Sequence, residues 1–148
     1  MTGRTEAAVS ELASLLELVC SPAPMEGIAR SLGTPGPPAA SSFETHIEPT
    51  AFRSYRAIDL QPWIGSDFGT VDVALADDVD LRPADLEPVL GPLQEVPRLH
   101  GGPQRLQGVF ERTSLPAWAA IYLELDGQPG DERVTAITIR TEPEVADE

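Results

Sequence analysis

The sequence predicts an α+β fold: a single domain in which an antiparallel sheet of about four to six strands carries an N-terminal helical pair and a short inserted helix on one face. Three observations predict it. Ile121, Leu123 and Leu125 share one face of an alternating run, Ile137 and Ile139 can meet them from a second run, and Gly127-Gln128-Pro129-Gly130-Asp131 between the two has turn chemistry, so Trp118 to Arg140 reads as a hairpin with a core face. Ala8, Leu12, Leu15, Leu16 and Val19 follow helical spacing near the N-terminus. Finally, the predicted order is helix, helix, two or three strands, helix, and two or three strands. Strands joined by hairpins pair antiparallel, and helices segregated in sequence pack on one face.

In chain order, Thr5 to Cys20 is the first helix, with Glu6, Glu11 and Glu17 mainly off its apolar stripe. Ser21-Pro22-Ala23-Pro24 breaks it, and Pro24 suits the first turn of a second helix carrying Met25, Ile28 and Leu32. This helical pair occupies residues 5–33. Residues 34–42, rich in Pro, Gly, Ala and Ser, form a linker. The sheet with its inserted helix takes residues 43–141. Phe43 to Glu48 is a short strand and Phe52 to Leu60 a longer one, with Arg56, Ile58 and Leu60 assigned to one side and Tyr55, Ala57 and Asp59 to the other. Val71, Val73 and Leu75 alternate in the next strand, and Gln61 to Asp67 is the hairpin loop that leads to it. Leu86, Val89, Leu90 and Leu93 make the inserted helix, with Asp80 as its expected cap and Pro88 and Pro92 shortening or kinking it. Val96 to Gln104 is loop and Leu106 to Arg112 a returning strand. Residues 142–148 are read as an acidic, disordered tail.

Composition excludes more than it assigns. A chain of 148 residues buries about 68–70% of its unfolded surface, which needs neither metal nor disulfide. The single cysteine, Cys20, permits no internal disulfide and suits a reducing compartment; with no signal peptide in the first twenty residues, a cytoplasmic location is expected. No run of about 18 apolar residues is present, so no membrane partner is expected. All ten basic residues are arginines, and the absence of lysine removes P-loop and Schiff-base chemistry. The lack of lysine and asparagine fits a GC-rich, bacterial-type genome. A net charge of −14 disfavours nucleic acid, whose phosphates need a positive surface, and steers basic partners toward the chain.

Candidate chemistry is sparse. His46 and His100 are the only histidines, and catalysis or zinc binding requires them to converge with carboxylates such as Asp59 or Asp72. Asp77-Asp78-Val79-Asp80 groups carboxylates but lacks the spacing of a calcium loop. No cofactor, metal site or catalytic residue is assigned. Trp63 and Ile64, between Pro62 and Gly65, set large apolar side chains at a hairpin tip, where they either fold back over a sheet end or anchor a partner.

The expected function is a non-catalytic, acidic protein-binding module that masks a basic or apolar surface of another protein. Trp63, Ile64, Asp77, Asp78 and Glu87 are its candidate contact residues, and a homodimer is compatible with the same features. In size, acidity and element order the chain resembles two classes: immunity proteins that neutralise bacterial toxins, and small acidic secretion chaperones. That resemblance is architectural and implies a masking role. The alternative is a small α+β enzyme or ligand-binding domain whose pocket lies between helices and sheet.

Overall fold

The computed structural model describes residues 3–21, 25–35, 45–48, 52–62, 69–96, 105–112, 115, 117–128 and 131–143. Among these residues three helices, α1 (Gly3–Val19), α2 (Met25–Leu32) and α3 (Pro83–Leu90), accompany eight strands. The strands are β1 (Thr34–Pro35), β2 (Thr45–Glu48), β3 (Tyr55–Pro62), β4 (Gly69–Leu75), β5 (Gln94–Val96), β6 (Arg105–Phe110), β7 (Ala117–Asp126) and β8 (Arg133–Pro143). They form one antiparallel sheet in the order β1-β2-β3-β4-β8-β7-β6-β5, so the fold is α+β.

The sheet is wider than the expected four to six strands. The excess lies mostly at the edges, where β1 occupies the start of the stretch read as linker and β5 runs into the first residue, Val96, of the stretch read as loop. Strands of two and three residues are too short to show a period of two, and they form because β2 and β6 offer them unpaired edges. At the other terminus β8 runs to Pro143. Glu142 therefore pairs with Trp118 and Pro143 with Ala117, and these two residues belong to the sheet instead of the tail.

Register explains the core. Ile47, Ile58, Val73, Ile137, Leu123 and Leu106 are successive cross-strand partners over six strands, and Leu60, Val71, Ile139, Ile121 and Gly108 form the next row. Because side chains alternate between faces, both rows point the same way, toward the helices. Leu12, Leu15 and Leu16 of α1, Ile28 and Leu32 of α2, and Leu86 and Leu90 of α3 complete one cluster with them. Helix α1 lies against both α2 and α3. The close approach of α3 depends on Gly108, where a Cβ would stand 2.9 Å from Leu90 Cβ.

Two β-bulges interrupt the ladders. On β3, Tyr55 pairs with Leu75 and Ala57 with Ala74, leaving Arg56 as the extra residue; on β8, Val134 pairs with Leu125 and Ala136 with Glu124, leaving Thr135. The first bulge corrects the expected faces of β3, because Tyr55 joins Ile58 and Leu60 in the core while Arg56 is exposed. Glu11 of α1 fastens this strand start, its carboxylate accepting from the Arg53 N–H at 2.7 Å, the Ser54 N–H at 3.2 Å and the Ser54 hydroxyl. Helix α3 is not capped by Asp80: its N-cap is Arg82, followed by Pro83, and the Arg82 N–H donates to the Asp85 carboxylate at 2.9 Å. Asp80 instead offers its carbonyl to the Thr5 hydroxyl at 3.1 Å. No helix among the described residues is long and apolar enough to cross a membrane.

Candidate functional site

The end of the sheet where β4 and β7 finish and β8 begins collects the acidic residues. Asp77 and Asp78 occupy a tight turn closed by the Val79 N–H to the Ala76 carbonyl at 3.1 Å. Both are exposed. Beyond the turn, Asp80 meets Arg133 Nε at 3.4 Å, and Arg82 pairs with Asp131. Glu87, one turn into α3 and exposed, lines a cavity of about 360 Å³ with Arg82, Leu106, Leu125 and Glu132. Asp126 stands opposite Arg133 in the register. Segments 77–87 and 126–133 hold eight carboxylates and two arginines, so this end is net negative even with Arg56 beside Asp77.

The Arg82–Asp131 pair shifts both partners in the mutually supporting direction. The Arg82 hydrogen bond and charge hold the Asp131 carboxyl below its ordinary value, and Asp131 raises Arg82 for the same reasons. Neither member is buried, so the pair orders the turn more than it stabilises the fold. Asp126, Asp131 and Glu132 were not among the contact residues singled out from the sequence. Their acidity is visible in the β7–β8 turn, but its nearness to Asp77 depends on β4 pairing with β8.

Trp63 and Ile64 lie outside the described residues. The strands flanking them end at Pro62 and Gly69, which are cross-strand partners at the opposite end of β4 from Asp77. A seven-residue strand spans about 23 Å at ~3.3 Å per residue. An interface of ordinary size, about 800 Å² per partner, reaches across that distance.

The sheet face turned away from the helices carries a polar row. His46, Asp59, Asp72, Thr138, Tyr122, Gln107 and Gln94 are successive cross-strand partners. His46 Nδ1 lies 2.8 Å from Asp59 Oδ1, and the Thr138 hydroxyl donates to Asp72 Oδ1 at 2.9 Å. The imidazole and the hydroxyl are three strand spacings apart, about 14 Å, so they do not form a nucleophile–base pair. His100 lies outside the described residues. Among those described, no three His, Cys, Asp or Glu side chains converge in a geometry that could hold a metal ion. The remaining outward positions include half-buried Trp118 and Tyr122 and the exposed Val109.

No protein-family model, curated protein or solved structure matches this chain.

Proposed function

We propose that this protein is a non-catalytic binding module of the bacterial cytoplasm that masks a basic surface of another protein, in the manner of an immunity protein or a secretion chaperone. The observation that carries this reading is the assembly of Asp77, Asp78, Glu87, Asp126, Asp131 and Glu132 at one end of the sheet by three separate chain segments. Opposite charge on a partner accelerates encounter and fixes its orientation. The helix-free sheet face supplies neighbouring contact area, with Trp118 and Tyr122 as aromatic groups of the kind that anchor interfaces. Trp63 and Ile64, which follow Pro62 in the chain, are the proposed apolar anchors.

The test is binding kinetics against a basic protein encoded beside this gene, at low and moderate salt. Charge reversal at Asp77, Asp78 and Glu87 should slow association and flatten its salt dependence, because exposed charges act on encounter. Trp63→Ala should speed dissociation, with a loss of about 2 kcal/mol or more for a hot spot. Association that ignores salt, combined with wild-type dissociation of the Trp63 variant, would refute the site.

A further inference from the structure

A second cavity, of about 270 Å³, opens at the acidic end of the sheet against β3, β4 and β8. Its lining departs from the rest of that end in sign, since it contains Arg56 and Arg133 but one carboxylate, Asp77, in a chain of net charge −14. Arg56 and Thr135, the extra residues of the two bulges, both line it. A bulge re-aims a side chain that a regular ladder would commit to one face, and here two independent bulges aim at one space. The Thr135 hydroxyl donates to the Glu124 carbonyl at 3.3 Å, and the charged residues of the lining are Arg56, Arg133 and Asp77. Arg133 engages Asp80 through Nε, whereas the side chains of Arg56 and Asp77 make no hydrogen bond or ion pair among the described residues.

The apolar part of the lining is Leu75, Ala76, Val79 and Val134. Its walls are held by backbone hydrogen bonds from Ala76 N–H to the Ser54 carbonyl at 2.9 Å, from Val79 N–H to Ala76 and from Val134 N–H to the Leu81 carbonyl at 2.8 Å. The cavity is therefore preformed, and its volume suits a ligand smaller than a drug-sized one.

We propose that this cavity binds a free α-amino acid with a compact apolar side chain. Arg56 and the terminal nitrogens of Arg133 take the carboxylate, for which a planar guanidinium fork is matched in shape and charge. Asp77 takes the ammonium, and Leu75, Val79 and Val134 receive the side chain. An inorganic anion such as phosphate satisfies the arginines but meets repulsion from Asp77 and leaves the apolar wall exposed to water. The site goes beyond the protein-binding reading and is tested without any partner, so its failure leaves that reading standing.

The experiment is titration of the full chain, by calorimetry and amide NMR, with L-leucine, L-valine, N-acetyl-L-leucine, L-leucinamide and inorganic phosphate. Saturable binding of leucine or valine is expected, with amide shifts centred on residues 75–79 and 133–135 and with much weaker binding of the two blocked derivatives and of phosphate. Arg56→Gln should weaken leucine about tenfold or more, the value of a charge-assisted bidentate contact. Asp77→Asn should narrow the gap between leucine and N-acetyl-leucine. Both side chains are exposed, and unchanged melting curves will show that the variants fold. No binding of either amino acid, phosphate binding as tight as leucine, or undiminished leucine affinity in Arg56→Gln would overturn the assignment.

Discussion

Tyr55 sits in the core with its ring 5.3 Å from that of Phe52, yet its buried hydroxyl has no hydrogen-bond partner among the described residues. A buried orphan of this kind costs about 1–3 kcal/mol, so Tyr55→Phe should raise stability, by up to that amount, in urea unfolding. Burial, with a smaller contribution from Glu11, also raises the pKa of this phenol, and burial pushes the fully enclosed Cys20 thiol up to about 12. Both groups keep their protons in the folded chain at pH values where the unfolded chain has lost them, above about 8.5 for cysteine and about 10 for tyrosine. The unfolded state then binds fewer protons, so stability is undiminished below about pH 8.5 and falls as the pH rises. Melts between pH 7.5 and 10.5 should show this fall, and Cys20→Ala should flatten its first part; identical profiles for the two proteins would remove Cys20 as its source. Ile137, fully enclosed and central in the longest core row, is the residue whose truncation should be felt most directly. Ile137→Ala should cost about 2–5 kcal/mol, and a change below about 0.5 kcal/mol would place it outside the core.

At the scale of elements, the hairpin β7–β8 was legible because its strands are ten and eleven residues long and its turn is marked by glycine and proline. Gly127 adopts φ 122°, a conformation open to glycine and costly for other residues. The seat of α3 was not legible. Gly108 lies mid-strand, and the reason for it is Leu90 and Leu93 on the other side of the layer, 2.9 and 3.0 Å from the point where an alanine methyl would stand. Gly108→Ala should therefore destabilise by about 1–3 kcal/mol through overpacking, with the loss appearing in amide-exchange protection of α3 before that of β3 and β4. Equal loss everywhere would show that α3 is not the element displaced. The bulges at Arg56 and Thr135 were equally silent in the sequence, since one added residue shifts the alternation without any residue type that announces it.

Across the whole molecule, the described elements after α1 form two successive units of one helix and four strands, α2 with β1–β4 and α3 with β5–β8, joined where β4 meets β8. Exchanging the units leaves the strand order unchanged, although no repeat of 20–50 residues is visible in the sequence. Architecture can repeat without sequence repeating because each unit needs only an alternating pattern on one face and turns at matching places. The core is continuous over both units and draws on no metal ligand set among the described residues. Melting temperatures with and without EDTA should accordingly coincide, and a drop of several degrees with chelator would assign a cation to the Asp77–Asp80 stretch. Net charge acts at this scale too, and association with the basic partner we propose should slow as salt shortens the Debye length below about 10 Å.

What the sequence determined by itself was local: which segments form helices, which runs alternate, where proline and glycine stop them, and that lysine chemistry and internal disulfides are absent. These follow from near neighbours in the chain, with periods of 3.6 and 2 that any window of a dozen residues displays. The candidate residues Asp77, Asp78 and Glu87 were legible in the same way, as a charge cluster before a helix. Only the tertiary structure joined them to Asp126, Asp131 and Glu132, set His46 on Asp59 on the helix-free face, and brought Arg56 and Arg133 to one cavity. Each of those meetings depends on the pairing of β4 with β8 or of β2 with β3 and on the register of the ladder, which a shift of one residue would invert. Register is decided by packing the whole apolar face against the three helices, a property that no single stretch of the chain contains.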